Sequence, residues 1–201
     1  MMQEFIQAIN DSFKRDMQGV HTAIPGKIVS IDTSTMLATV LPVVKYKKPN
    51  GETMDFPQIY GVPIVIPQSS AQTATIAFPI KPDDSCLLII AEQALDYWMY
   101  EQETATDLKF DLTNAICIPG LFPKGSDVLR EACSSNAIII KNKSCHVTVN
   151  SGGVTIGGNL TVNGNVTVNG EIKATGNVVG AGVSLSGHRH NTSDGTSSTP
   201  I

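Results

Sequence analysis

Aromatic residues are scarce in this chain of 201 residues, at 5% of the total with a single tryptophan, and the later third is almost devoid of them. Any core formed there is filled by aliphatic side chains. Lys and Arg number 14 against 18 Asp and Glu, with no dense basic run, so a nucleic-acid partner lacks its electrostatic footprint. No apolar run approaches the roughly 20 residues of a membrane-crossing helix. The N-terminus lacks the basic start and apolar core of a secretory signal. The four cysteines, Cys86, Cys117, Cys133 and Cys145, show neither close pairing nor metal-type spacing and read as free thiols of a protein made in a reducing cytosol.

What the chain does have is a repeat. Glycine recurs every six residues at Gly152, Gly158, Gly164, Gly170, Gly176 and Gly182. Between the glycines the pattern is apolar, polar, apolar: Val154 and Ile156, Leu160 and Val162, Val166 and Val168, Ile172 and Ala174. Each hexad therefore reads as one short strand with one buried face. Asn159, Asn163, Asn165, Asn169 and Asn177 lie next to or near the glycines and favour corners, because Asn and Gly both tolerate positive φ. The segment reads as a β-helix, yet it is too short for one chain to close, since a single-chain solenoid would gain only about two coils from it. Three chains around a common axis would each supply one wall, giving a trimeric needle. Near Gly180-Ala181-Gly182 the apolar pair moves to Val183 and Leu185, and small residues then predict a taper toward Gly187. His188-Arg189-His190 follows.

Upstream, Phe5, Ile6, Ile9, Phe13 and Met17 stand at helical spacing in residues 2–17, which predicts an amphipathic helix that packs on its own domain or docks on a partner. Residues 25–123 read as β. A hairpin joins 27–31 to 37–43 around the turn Asp32–Thr35, and further strands are expected at 62–66, 73–78, 86–90 and 115–118, with prolines at the edges. Five or six short strands in about 100 residues suggest a small barrel such as the Greek-key OB-fold. Asp83-Asp84 reads as a turn, since a metal site there lacks converging oxygen ligands. Residues 122–136 form a linker with a short helix near Asp127–Ala132, and 137–140 and 147–149 begin new strands. The tail from Asn191 is small and polar, and alone it would be disordered. The expected architecture is all-β: a helix (1–20), an OB-fold domain (21–123), a linker (124–136), a trimeric β-helix (137–187) and a metal-binding apex with tail (188–201).

An ordered set of stretches resembles one family: Gly26-Lys27-Ile28-Val29, Phe78-Pro79-Ile80-Lys81-Pro82-Asp83-Asp84, Leu95-Asp96-Tyr97-Trp98, the run from Asp111 to Gly120, the hexads and His188-Arg189-His190. The chain resembles the central spike, or membrane-puncturing, proteins of contractile-tailed bacteriophages, of the type with an N-terminal OB domain. Asp84 stands where that family's turn is expected to take glycine. The resemblance implies a homotrimer seated on a baseplate hub protein, a needle aimed at the host outer membrane, a place in the virion after synthesis in the host cytoplasm, and an iron ion held at the tip by a His-x-His pair from each chain.

The residues themselves say less about the metal. Strand alternation puts His188 and His190 on one face and Arg189 on the other. Three such pairs around an axis give six imidazoles, a set that suits iron, nickel, copper or zinc. A closed six-ligand shell leaves no exchangeable position, so it would fasten the apex and catalyse nothing. In an isolated tail the same two histidines would simply be solvated. A metallohydrolase reading joins His188, His190 and Asp194 but needs ligands from distant strands, and His21 and His146 lie in unrelated segments. The alternative function is a hexapeptide-repeat acyltransferase-like trimeric enzyme, which needs several full coils within each chain. A receptor-binding fibre would need an aromatic-rich terminal head that this chain lacks. No Ser-His-Asp set or working carboxylate pair is recognisable, and the needle is almost free of ionisable groups apart from Glu171 and Lys173, so no enzymatic activity is expected.

Overall fold

The computed structural model describes residues 2–48, 50–103 and 108–198. Chain contacts divide it into two units between Ser126 and Asp127. The first opens with helix α1 (Met2–Gln18) and continues through strands β1 (Ala23–Asp32), β2 (Leu37–Pro42), β3 (Lys45–Lys47), β4 (Thr53–Asp55), β5 (Ile59–Pro63), β6 (Gln68–Ser69), β7 (Ala74–Thr75) and β8 (Ser85–Ile90), helix α2 (Asp96–Tyr100), a 3-10 turn (Leu112–Asn114) and β9 (Ala115–Pro119). Five of these strands form one antiparallel sheet in the order β5-β2-β1-β8-β9. The sheet curls until its two outer strands meet in a parallel bridge from Ile64 to Cys117, with the Val65 amide donating to the Cys117 carbonyl at 2.9 Å.

Alternation builds the interior. Ala38 and Val40 of β2, Cys86, Leu88 and Ile90 of β8, and Ala115 and Cys117 of β9 are buried at every second position, as one-sided strands require. Strand β1 changes phase midway: Ile24, Gly26 and Ile28 face inward at even positions, and Ile31 packs inward at an odd one. The cause is a break in the β1–β2 register between Ile28 and Ser30. One extra residue, Val29, flips the side chains that follow and bends the strand as a curled sheet needs.

Gly26 is buried in β1 and faces β2 and β8 closely. A Cβ there would lie 2.7 Å from Val40 Cγ1 and 3.2 Å from both Cys86 Sγ and Leu88 Cδ1. Gly26→Ala is therefore expected to cost about 1–3 kcal/mol by overpacking. The check is urea unfolding followed on the barrel, with a lower midpoint and an unchanged slope.

Cys86 and Cys117 are the buried free thiols expected from the sequence, whereas Cys133 and Cys145 are exposed. A hydrogen bond with Cys86, reinforced by burial, holds the Cys117 thiol far above the ordinary thiol range. Asp111 caps the 3-10 turn, accepting from the Thr113 hydroxyl at 2.6 Å and the Thr113 amide at 2.9 Å. Those bonds, the hydroxyl first, hold its carboxyl below the ordinary value near 3.8. A lowered folded-state pKa stabilises above the unfolded pKa, and that contribution disappears as pH falls through the folded one. Asp111→Ala is expected to cost about 1 kcal/mol near neutrality, with the gap to the wild-type chain closing under acid in thermal melts taken below about pH 4.

Several sequence expectations change here. The strand expected at 62–66 starts earlier, at Ile59, so that Ile59 and Val62 both reach the core while Gly61 takes a positive φ of 68° between them. The strand expected at 73–78 shrinks to Ala74–Thr75, paired only with Gln68–Ser69 in a side hairpin. Both neighbours of β8 are already taken by β1 and β9, so Ile76 and Phe78 stay exposed. In the turn 81–84 the left-handed residue is Asp83, at φ 75°, and Asp84 uses its carboxylate to accept the Lys81 amide at 2.8 Å. A glycine at 84 would lack that acceptor. Helix α1 leaves its apolar stripe uncovered, with Phe5 and Phe13 each 66% exposed, so it does not pack on its own domain. Among the described residues no helix is long and apolar enough to cross a membrane.

The second unit begins with α3 (Asp127–Ser135), where a shorter helix was expected, then β10 (Ile138–Asn142), β11 (Cys145–Asn150) and β12 (Gly153–Gly157), an antiparallel meander. Its register sets Ile138, Val149 and Val154 in one row and Ile140, Val147 and Ile156 in the next, which collects six aliphatic side chains on one face. On the other face the His146 ring lies so close over Gly157 that a Cβ at 157 would fall 2.1 Å from it.

Candidate functional site

From Gly158 onward the backbone turns on the glycine period. Bends fall at 158, 163–164, 169–170 and 175–176, and the stretches between them carry no strand partner among the described residues. Leu160, Val166 and Ile172 are 67%, 68% and 73% exposed in the single chain. These stretches thus leave both apolar side chains and strand-type backbone groups without in-chain partners, a condition that is costly in water for the first and open to pairing for the second.

The register change near Gly180 is a reversal of the chain. Strands β13 (Val179–Gly180) and β14 (Val183–Ser184) pair across Ala181 and Gly182, at φ 49° and 80°, so both corner residues sit in the left-handed region that two-residue hairpins require. A continuous taper is not what forms. Beyond it, residues 185–187 turn tightly, with the His188 amide donating to the Ser184 carbonyl at 3.0 Å and the Gly187 amide to Ser184 Oγ at 2.9 Å.

The turn brings His188 and His190 together, with ring centroids 5.0 Å apart and planes at 87°. His188 Nδ1 lies 2.9 Å from the Leu185 carbonyl and 3.1 Å from that of Ser184. Carbonyl oxygens only accept, so Nδ1 carries the proton in the neutral ring, and the lone pair is left on Nε2. A shallow cavity of about 250 Å³, lined by Val178, Val183, Leu185 and the His188 ring among others, adjoins it. The chemistry of this donor set fits one half-site: two imidazoles and nothing more. Among the described residues no group of three or more His, Cys, Asp or Glu converges on a metal position. Asp194 lies in the turn between β15 (Asn191–Thr192) and β16 (Gly195–Thr196). His21 packs edge-on against Phe56, with ring centroids 5.8 Å apart, and His146 covers Gly157. The tail expected to be disordered is a small hairpin up to 198, closed by the Ser197 amide on the His190 carbonyl at 2.8 Å and by the His190 amide on Ser197 Oγ at 2.9 Å. Its last three residues lie outside those described.

Sequence reasoning missed Asn177. Its Oδ1 accepts from Ser186 Oγ at 2.7 Å, Ser184 Oγ at 2.9 Å and the Ser186 amide at 3.3 Å, so it gathers the turn that precedes His188. Its place among the corner asparagines of the repeat hid this, and only the serines at 184 and 186 hinted at partners.

Comparison with known proteins bears on the first unit. Residues 24–120 match the family model described as phage protein Gp138 N-terminal domain. The barrel is similar to a phage structural domain. The matched stretch runs from the first inward residue of β1 to the glycine after β9, so it takes in all five strands of the curled sheet. The phage-type domain also contains α2 and the Asp111 cap, two of the stretches on which the resemblance rests. No curated protein matches the chain.

Proposed function

We propose that this chain is the trimeric central spike of a phage baseplate, which pierces the host outer membrane when the tail sheath contracts. The observation that carries the reading is the row of hexads with exposed Leu160, Val162, Val166, Val168 and Ile172 and no strand partner among the described residues. Three copies winding together would bury that column at about 25 cal/mol per Å² of apolar surface and pair the open strand edges. The meander face of Ile138, Ile140, Val147, Val149, Val154 and Ile156 would extend the same column. Rigidity of this kind serves a mechanical task and requires no catalytic group.

The strand order β5-β2-β1-β8-β9 with a parallel β5–β9 contact supports an OB-type Greek-key barrel for the base, seated on a hub protein of the baseplate, and the phage-family match supports a virion protein. At the other end, His188 and His190 from three chains would hold one ion on the axis, iron by resemblance. Three half-sites of two imidazoles would complete an octahedral set, and the metal's part would be to tie three chain ends together. An acyltransferase-like enzyme would stack its coils within one chain, and these hexads pair with no strand among the described residues.

The test is sedimentation equilibrium of the purified full-length chain. A species of three times the 21.4 kDa chain mass is expected across the micromolar range. A folded monomer at those concentrations would overturn the proposal.

A further inference from the structure

We propose that Asn177 is a positioning residue for the apex: by gathering the 184–187 turn it fixes His188 in the tautomer whose Nε2 holds the free lone pair. This rests on the metal-binding reading of the histidine pair and adds to it a residue outside the pair that governs which nitrogen is offered.

The chain of contacts is continuous. The Ser186 amide can only donate, so the atom of Asn177 that meets it is the oxygen, which also accepts the hydroxyls of Ser184 and Ser186. With its proton given to Asn177, Ser184 Oγ is free to accept the Gly187 amide at 2.9 Å. That bond tightens the turn, and the Leu185 amide on the Val178 carbonyl, at 2.7 Å, anchors it to the strand that follows Asn177. The carbonyls of Ser184 and Leu185 then point at His188 Nδ1. A ligating imidazole is typically held through its other ring nitrogen, and disturbing such a support costs 10- to 100-fold in metal affinity. Here that support is backbone carbonyl, and backbone can be aimed only by what holds the turn. Asn177 is the side chain that does so.

The experiment uses full-length protein stripped with chelator and labelled with 15N, in alkaline buffer. Long-range proton–nitrogen spectra should show His188 with its proton on Nδ1. In Asn177→Ala the proton should move toward Nε2, its usual place in a free imidazole. Anaerobic titration with ferrous iron should show a 10- to 100-fold loss of affinity in Asn177→Ala, whereas Asn177→Asp, which keeps the acceptor oxygen, should retain the wild-type tautomer and affinity. A His188 proton on Nε2 in the wild-type protein would overturn the inference. So would an Asn177→Ala protein with unchanged tautomer and affinity. If Asn177→Ala does not assemble, Ser186→Ala removes one of the three donors, and the wild-type spectrum decides by itself. Should the Nδ1 proton depend on Asn177 while the wild-type chain takes up no iron, the positioning stands and the metal reading alone fails.

Discussion

Replacing Val166 by aspartate is expected to leave the purified chain unable to form a trimer while its barrel stays folded. Val166 lies in the stretch between the bends at 163–164 and 169–170 and is 68% exposed in the single chain. In the proposed needle three copies of it face one axis. Three carboxylates there would be desolvated and mutually repelling, at several kcal/mol each, and no neighbouring hexad carries a cation on the same face to offset them. The barrel should not notice, since its core from Ile28 to Cys117 belongs to the other unit. Light scattering reads the assembly and circular dichroism the barrel. Thr167→Asp is the control for direction: strand alternation turns position 167 outward, so that variant should assemble normally. Equal behaviour of the two variants would show the face assignment to be wrong.

The second large effect is expected at the apex. With His188 and His190 both changed to alanine, bound metal should fall from one ion per three chains to none, because a single on-axis ion takes the same two ligands from every chain. The trimer should persist, because the aliphatic column lies upstream of Gly182. The small hairpin from Asn191 should become protease-sensitive, since its bonds to the His190 backbone would then join it to a segment that has lost its metal anchor. Elemental analysis and limited proteolysis on the same preparation decide the matter. One ion per chain in the wild-type protein, or none in protein never exposed to chelator, would return the pair to a solvated tail.

How far residues alone could foretell these features depended on the kind of signal. The glycine period announced the bends of the second unit almost position by position, although only Gly158 among those bends takes a left-handed φ, at 132°, and at Gly164, Gly170 and Gly176 an added Cβ would meet open space. The apolar runs at 37–43 and 86–90 announced two of the barrel strands, although which of their residues face the core appears only in the structure. What escaped were features set by partners remote in sequence. The extra residue at Val29 shifts β1 by one place, but Val29 looks like any other strand residue until β2 is laid beside it. Ile76 and Phe78 look like strand residues too, yet β8, the next strand of the chain, already pairs with β1 on one side and β9 on the other. At the apex, Ser184 and Ser186 read as small residues in a narrowing needle, whereas they are ligands of one asparagine oxygen. The stripe on α1 was plain, but whether its own domain covered it depended on tertiary packing, and the packing leaves it bare.

The absence of strand partners for residues 158–176 among the described residues also bears on how such a molecule comes into being. The barrel closes on itself and can form at any dilution, from one chain as it leaves the ribosome. The hexads, in the proposed assembly, form by a reaction among three molecules, so their melting temperature should rise with protein concentration while that of the barrel stays fixed. Once three chains have interlocked, no one of them can leave without stripping pairing from the other two. Disassembly would then have to pass through unfolding, and the lifetime of the finished spike would be governed by a rate, largely independent of how dilute the particle becomes.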